Sequence, residues 1–308
     1  MNSLKVILTC IGLLTSVVLS ASGKEPIVIG LDADMTSGSA PAGEAIRRGA
    51  LIAIAEINKR GGLPGRRELE LIVKDHHGAP ARSMDNMIEL TKEKNLVAVL
   101  WGLHSPAIIS ELKFIHEQKI IMLDPWAAAT PIIDNGFNPN YCFRVSVRDQ
   151  YAGGFLVDQA LKQGYSKLGL LLERTGWGRS NLKAMTEALQ SHGKFPAGIE
   201  WFFWGEMDMT KQIQALLDAG VDAVLIVANA PEGAPIVKGM AAFPKEKRVP
   251  IFSHWGIAGG KFTELVGETL KEVKLHVLQT YSFIKTDREK ASTVVSRYHS
   301  MFKTKSVR

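Results

Sequence analysis

The chain has 308 residues, 46% hydrophobic and 22% charged, with 28 Gly, 13 Pro and 2 Cys. That composition excludes an intrinsically disordered protein, and two cysteines exclude both a disulfide scaffold and a four-thiolate zinc site. With 37 Lys+Arg against 31 Asp+Glu the net charge is +6, too dilute over this length to mark a nucleic-acid partner, and the length itself suits two domains.

In chain order, Met1 to Lys5 carries one positive side chain, and Val6 to Leu19 is a 14-residue, nearly unbroken apolar run. The small residues Ala21-Ser22-Gly23 follow, just before the charged pair Lys24-Glu25. A basic start, an apolar stretch and a small-residue exit predict a secretory signal peptide over residues 1–23. The run is shorter than the ~20 residues needed to cross a bilayer. Cys10 lies inside it after Thr9, which points to simple cleavage and not to a lipid anchor. Cleavage removes Lys5 and Cys10, leaving 36 basic against 31 acidic side chains, a net +5, and Cys142 as the single thiol. The expected mature protein is soluble, outside the cytoplasm and held together by core packing.

Strands and helices then alternate. Pro26 to Leu31 reads as a strand ending in a polar loop over 32–43, and Glu44 to Asn58 as a helix with Ile46, Ala50, Ile54 and Ile57 on one face. Strands follow at Leu69–Val73, Leu96–Trp101 and Ile120–Leu123, with helices at Met84–Lys94 and Pro106–Gln118. Beyond a crossing segment, Tyr141 to Arg148, the pattern restarts. Strands at Leu168–Leu172, Val221–Val227, Val249–Phe252 and Leu275–Thr280 alternate with helices at Ser180–Ser191, Thr210–Ala219 and Ala234–Ala242, and a helix over Asp287–Phe302 closes the chain. Strands that are apolar throughout and separated by helices predict parallel sheets covered on both faces.

In such sheets ligands bind beyond the carboxyl ends of the strands. After 96–101 comes Gly102-Leu103-His104-Ser105-Pro106. Ser105 is a natural N-cap and Pro106 a natural first helical residue, so Ser105 either caps its own helix or helps a helix start hold a carboxylate. The next strand ends in Asp124-Pro125-Trp126-Ala127-Ala128-Ala129-Thr130-Pro131, whose small residues let a ligand approach the main chain. Trp126 is ligand wall or core. Trp126, Trp177 and Trp255 all fall at strand ends, the pattern of an aromatic-lined cleft.

Catalytic signals are missing. Glu44 stands where a phosphate loop needs lysine, no Gly-x-Gly-x-x-Gly follows the first strand, and no Gly-x-Ser-x-Gly occurs. His76-His77 point to opposite sides of an extended chain and read as solvated loop residues with no metal role. Cys142 reads as a buried small hydrophobe. No enzyme, cofactor or metal is expected.

The segments PIVIGLDADMTSG, AEINKRGGLPGRRELELIVKDHHGAP, IIMLDPWAAATP and FRVSVRD occur in this order. Together with the leader they resemble the leucine/isoleucine/valine-binding type of periplasmic solute-binding protein, the substrate-capture subunits of ABC importers. The resemblance runs from about Pro26 onward and is most specific over Ile57–Asp75. It implies an α/β architecture of two doubly wound, Rossmann-like lobes with parallel sheets joined by a hinge, the type I periplasmic binding fold. Lobe 1 would hold residues 24–143 plus 282–308, and lobe 2 residues 144–281.

By the same resemblance, Ser105 matches the serine that binds the ligand carboxylate, and Ala127 and Ala128 fall on or beside the segment that adds main-chain bonds. Trp177 matches an aromatic of lobe 2, and Asn229 a ligand-facing tyrosine. Ala42 stands where another tyrosine is usual, and Trp255 where the family has the glutamate that pairs with a ligand ammonium. The expected ligand-binding residues are therefore Ser105, Trp126, Ala127, Ala128, Trp177, Asn229 and Trp255. The expected ligand is a small carboxylate-bearing molecule, an organic acid (aromatic or not) in preference to a simple amino acid, with an amino-acid-like ligand left open. Family members continue beyond the helix that ends this chain, so a shortened carboxyl end is expected. The implied partners are a small-molecule ligand and a membrane permease, with no nucleic acid, the protein acting as a monomer. A sensor reporting to a receptor kinase or chemoreceptor is the alternative output.

Overall fold

The computed structural model describes residues 24–281 and 288–304, so the expected leader, residues 1–23, lies outside the described residues. The first half builds β1 (Ile27–Ala33), α1 (Ala40–Lys59), β2 (Leu69–Asp75), α2 (Pro80–Leu90), β3 (Leu96–Trp101), α3 (Ser105–Gln118), β4 (Met122–Asp124) and β5 (Cys142–Arg144). These strands form one parallel sheet in the order β2-β1-β3-β4-β5. The second half builds α4 (Asp149–Lys162), β6 (Leu168–Glu173), α5 (Gly176–Ser191), β7 (Gly198–Phe202), α6 (Thr210–Asp218), β8 (Ala223–Val227), α7 (Ala230–Ala242), β9 (Ile251–Ser253), α8 (Phe262–Val266) and β10 (Leu275–Val277). Its sheet is also parallel, in the order β10-β9-β8-β6-β7. α9 (Arg288–Phe302) returns to the first unit, where Arg48 Nη1 of α1 donates to Tyr298 OH at 2.8 Å.

This is the doubly wound α/β architecture expected, twice over. In each sheet the strand order reverses once, between β1 and β3 and between β6 and β8, which puts a crevice at the carboxyl ends of those strands. The residues make these elements for simple reasons. β6 (LGLLLE) and β8 (AVLIV) are buried at every position, as the central strands of a sheet covered on both faces must be. α1, α2, α3 and α7 each carry proline in the first turn, where the missing N–H costs nothing. At the start of α5 the Thr175 hydroxyl accepts from the Trp177 and Gly178 amides.

Several boundaries differ from expectation. The loop over 32–43 shrinks to 34–39, because β1 runs on to Ala33 and α1 starts at Ala40. Asp32 is fully buried there and accepts from Ser83 Oγ (2.5 Å) and Asn86 Nδ2 (2.7 Å) of α2. α2 itself starts at Pro80, four residues before the expected Met84. The crossing segment contains β5, while α4 and β7 escape the sequence reading altogether. One apolar core spans both sheets, with Trp101, Ile108 and Ala127 from the first half packed in the same cluster as Leu172, Trp177 and Val227 from the second.

Candidate functional site

The turn after β4 forms a ridge whose backbone amides each meet a side chain. Trp126 N–H donates to Asp124 Oδ1 (3.1 Å), Ala128 and Ala129 N–H both donate to Ser105 Oγ (3.2 Å each), and Thr130 N–H donates to Ser180 Oγ of α5 (3.0 Å). The carbonyls are held from the other side. Arg144 donates through Nη1 to Ala128 O (3.1 Å) and through Nη2 to Ala129 O (2.7 Å), while its Nε donates to Asp124 Oδ2 (3.0 Å). Burial pushes the Asp124 carboxyl up to about 6 even though Arg144 pulls it the other way.

Ser105 is not the N-cap expected. His104 takes that place, and Ser105 is the first residue of α3, with its side chain turned to the ridge. A serine hydroxyl has two acceptor lone pairs and one proton. With both lone pairs facing the Ala128 and Ala129 amides, the proton is what Ser105 can offer a ligand.

The second unit answers across the junction. Asp149, the first residue of α4, donates its N–H to Ala128 O at 2.8 Å. Its Oδ1 accepts from Trp177 Nε1 (3.1 Å) and lies 3.1 Å from His254 Nε2. The His254 ring lies 3.8 Å from that of Trp255 and meets Trp177 edge-on at 5.1 Å, centroid to centroid. Trp255, Ala128 and Ala152 form a small buried cluster with Trp126 packed against it. Asn229 reaches the same place through Gly256: a Cβ there would lie 2.7 Å from Trp177 and 3.0 Å from Asn229 Oδ1.

The structure therefore gathers all seven expected residues at one junction between the two sheets. Ser105, Ala127, Ala128, Trp177, Asn229 and Trp255 are buried there, and Trp126 is half-buried. Sequence reasoning missed Arg144, Asp149, Ser180 and His254. His254 sits at a strand end beside Trp255, and that position was its available signal. Asp149 begins a helix the pattern did not reveal.

A second cluster lies at the carboxyl ends of β1, β2 and β3. His76 is 1% exposed, which corrects the expectation of a solvated loop residue. Its Nδ1 accepts from Gly78 N–H at 3.0 Å, while His77 points outward as adjacent residues should. His104 is buried beside it, 5.3 Å between ring centroids, and Trp204 of the second unit covers it at 4.6 Å. Burial holds His76 down to about 4; burial and then the neighbouring His76 hold His104 down to about 3. Asp34, Asp75 and His77 bring ligand atoms within 4.8 Å of one another. Their donors and acceptors are engaged with Thr36, Ser37, Ser39 and Met35, which ties the loop after β1 to the end of β2. A cavity of about 1350 Å³ lies nearby, between α1 and α7 and lined by Pro41, Arg48, Pro231 and Lys238. None of the seven expected residues lines it.

Two parallel, doubly wound α/β units whose strand ends meet at a polar ridge under aromatic side chains define a two-lobed binding protein. The chain belongs to the periplasmic binding protein family, whose profile matches residues 26–307. It is similar to an amino acid binding protein of Pseudomonas aeruginosa, 24% identical over 224 residues, 72% of this chain and 59% of that one. It is also similar to Leu/Ile/Val-binding protein homolog 2 of Brucella abortus, 23% identical over 247 residues, 80% and 65% of the two chains. The chain thus spans about three fifths of the length of these curated relatives. Among solved structures, a type 1 periplasmic binding protein from Bordetella pertussis superposes with a TM-score of 0.81 at 20% identity, covering 90% of this chain and 74% of that one. A solute-binding protein of Rhodopseudomonas palustris in complex with benzoate gives 0.77 at 16% identity, covering 91% and 75%. The family and these relatives are binding proteins and not enzymes.

Proposed function

We propose that this protein is the periplasmic solute-binding subunit of an ABC importer, exported by its leader and trapping a small carboxylate-bearing ligand between its two lobes. One observation carries the reading: the Ser105 hydroxyl, both lone pairs directed at the Ala128 and Ala129 amides, has its proton to give beside a junction lined by Trp126, Trp177 and Trp255. An O–H donor at an amide-rich ridge suits a carboxylate, and indole walls suit an aromatic or apolar body. Ligand contacts from both units favour the closed arrangement, which a membrane permease then receives. The benzoate complex of the Rhodopseudomonas palustris neighbour supports an aromatic acid. A second reading, an amino acid, is favoured by the buried Asp149 carboxylate beside Trp177 and His254 and by the Pseudomonas aeruginosa relative.

Thermal-shift titration of the full chain with carboxylates and their uncharged amides tests the proposal. Benzoate or leucine should raise the melting temperature where benzamide or leucinamide does not, and Ser105→Ala should cut the acid's affinity about tenfold, the loss of one hydrogen bond to a charged group. Equal stabilisation by acid and amide, or an affinity untouched in Ser105→Ala, would falsify it.

A further inference from the structure

Asp149 and His254 sit in the middle of the junction with polar atoms left over. Asp149 Oδ1 accepts from Trp177 Nε1 and lies 3.1 Å from His254 Nε2, whereas Asp149 Oδ2 and both ring nitrogens of His254 have no hydrogen-bond partner. Both side chains are fully buried. Unpartnered buried carboxylate oxygens are uncommon in native proteins and ask for an explanation. The rings of Trp177 and Trp255 both pack against His254. The neighbouring guanidinium groups do not answer the charge: Arg144 is engaged with Asp124, Ala128 and Ala129, and Arg148, the residue before Asp149, with Asp134 and Tyr151.

The position of the pair matters as much as its chemistry. Asp149 is anchored through its own N–H to Ala128 O, on the same residue whose N–H orients Ser105. The free oxygen of Asp149 is thus held at a fixed place relative to the hydroxyl that would take a ligand carboxylate. We propose that Asp149 is a specificity-determining acceptor for a hydrogen-bond donor on the ligand, a hydroxyl or an ammonium, with His254 and Trp177 as the residues that position it. The inference rests on the proposed function and narrows its ligand to acids carrying such a donor. It also places a carboxylate at the junction where Trp255 removes the one expected from the family resemblance.

Calorimetric titration of the full chain with two matched pairs of acids tests the assignment: 4-hydroxybenzoate against benzoate, and leucine against 4-methylpentanoate. Within each pair the members differ by the donor group. The wild type should prefer the donor-bearing member of one pair by at least about tenfold, because a site built around a buried acceptor rejects the analogue that leaves it unpaired. In Asp149→Ala that preference should fall to near unity. The isosteric Asp149→Asn, which keeps the shape should the alanine variant fail to fold, should abolish a preference for ammonium and keep part of one for hydroxyl. The discriminating pair then identifies the donor. Acids that bind without discrimination, or a preference that survives in Asp149→Ala, overturn the assignment alone. Failure of all four acids to bind overturns it together with the proposed function.

Discussion

Gly256 has no room for a side chain. A Cβ would stand 2.5 Å from the Ala228 carbonyl oxygen and 2.7 Å from the Trp177 ring, and a backbone carbonyl in a central strand end cannot retreat. Gly256→Ala should therefore cost about 2 kcal/mol of stability, the usual range for overpacking, read as a lower urea midpoint by tryptophan fluorescence. A loss below about 0.5 kcal/mol, the scale of an ordinary surface substitution, would show that the Trp177–Asn229 arrangement can relax. At this scale the sequence was partly legible. Strand-end position pointed to Ser105, Trp126, Trp177, Asn229 and Trp255, because connectivity places the ends of parallel strands together. It gave no hint that Ser105 faces Ala128 and Ala129 in place of its own helix start, since that depends on where a turn 23 residues away comes to rest.

Among the elements, the turn after β4 is held by β5 through a single residue. Arg144 is 5% exposed and Asp124 0%, and the guanidinium fork also carries two ridge carbonyls. Replacing Arg144 by Leu leaves a buried carboxylate without its partner, a loss of about 3–5 kcal/mol at pH 8. Asp124 already titrates near 6 because burial raises it, so at pH 5 the group is protonated in the fold and the penalty should shrink. Chemical denaturation of Arg144→Leu at the two pH values checks this; an equal loss at both would mean that the carboxylate charge is not what the arginine offsets. The sequence reading took 141–148 as a bare crossing and missed that β5 pairs with β4, as Met122–Cys142 and Leu123–Phe143 do. Three residues are too few for a periodic pattern to register.

Across the whole molecule, burial raises several carboxyls: Asp32 to about 7, Glu173 to about 8 and Glu111 to about 9. In the unfolded chain all three ionise near 4, so the folded state holds extra protons at neutral pH. Their contribution to stability is complete below the unfolded values, falls from about pH 4 upward at about 1.4 kcal/mol per pH unit for each proton retained, and is exhausted only once pH has passed about 7 for Asp32, about 8 for Glu173 and about 9 for Glu111. The melting temperature should accordingly fall between pH 7 and pH 9, and Glu111→Gln should flatten that fall; a flat profile in the wild type would contradict the burial of these groups as ionisable acids. The alternation of apolar strands and proline-started helices by itself determined a doubly wound α/β protein with its chemistry at the strand ends, because strand burial and helix initiation are local properties of a few consecutive residues. Which side chains meet at the junction was decided by the tertiary structure alone. The Asp149–His254–Trp177 contact, the ridge clasped by Arg144, and Trp204 laid over His104 join residues 15 to 105 positions apart, and no periodicity along a chain encodes which loops come to rest against one another.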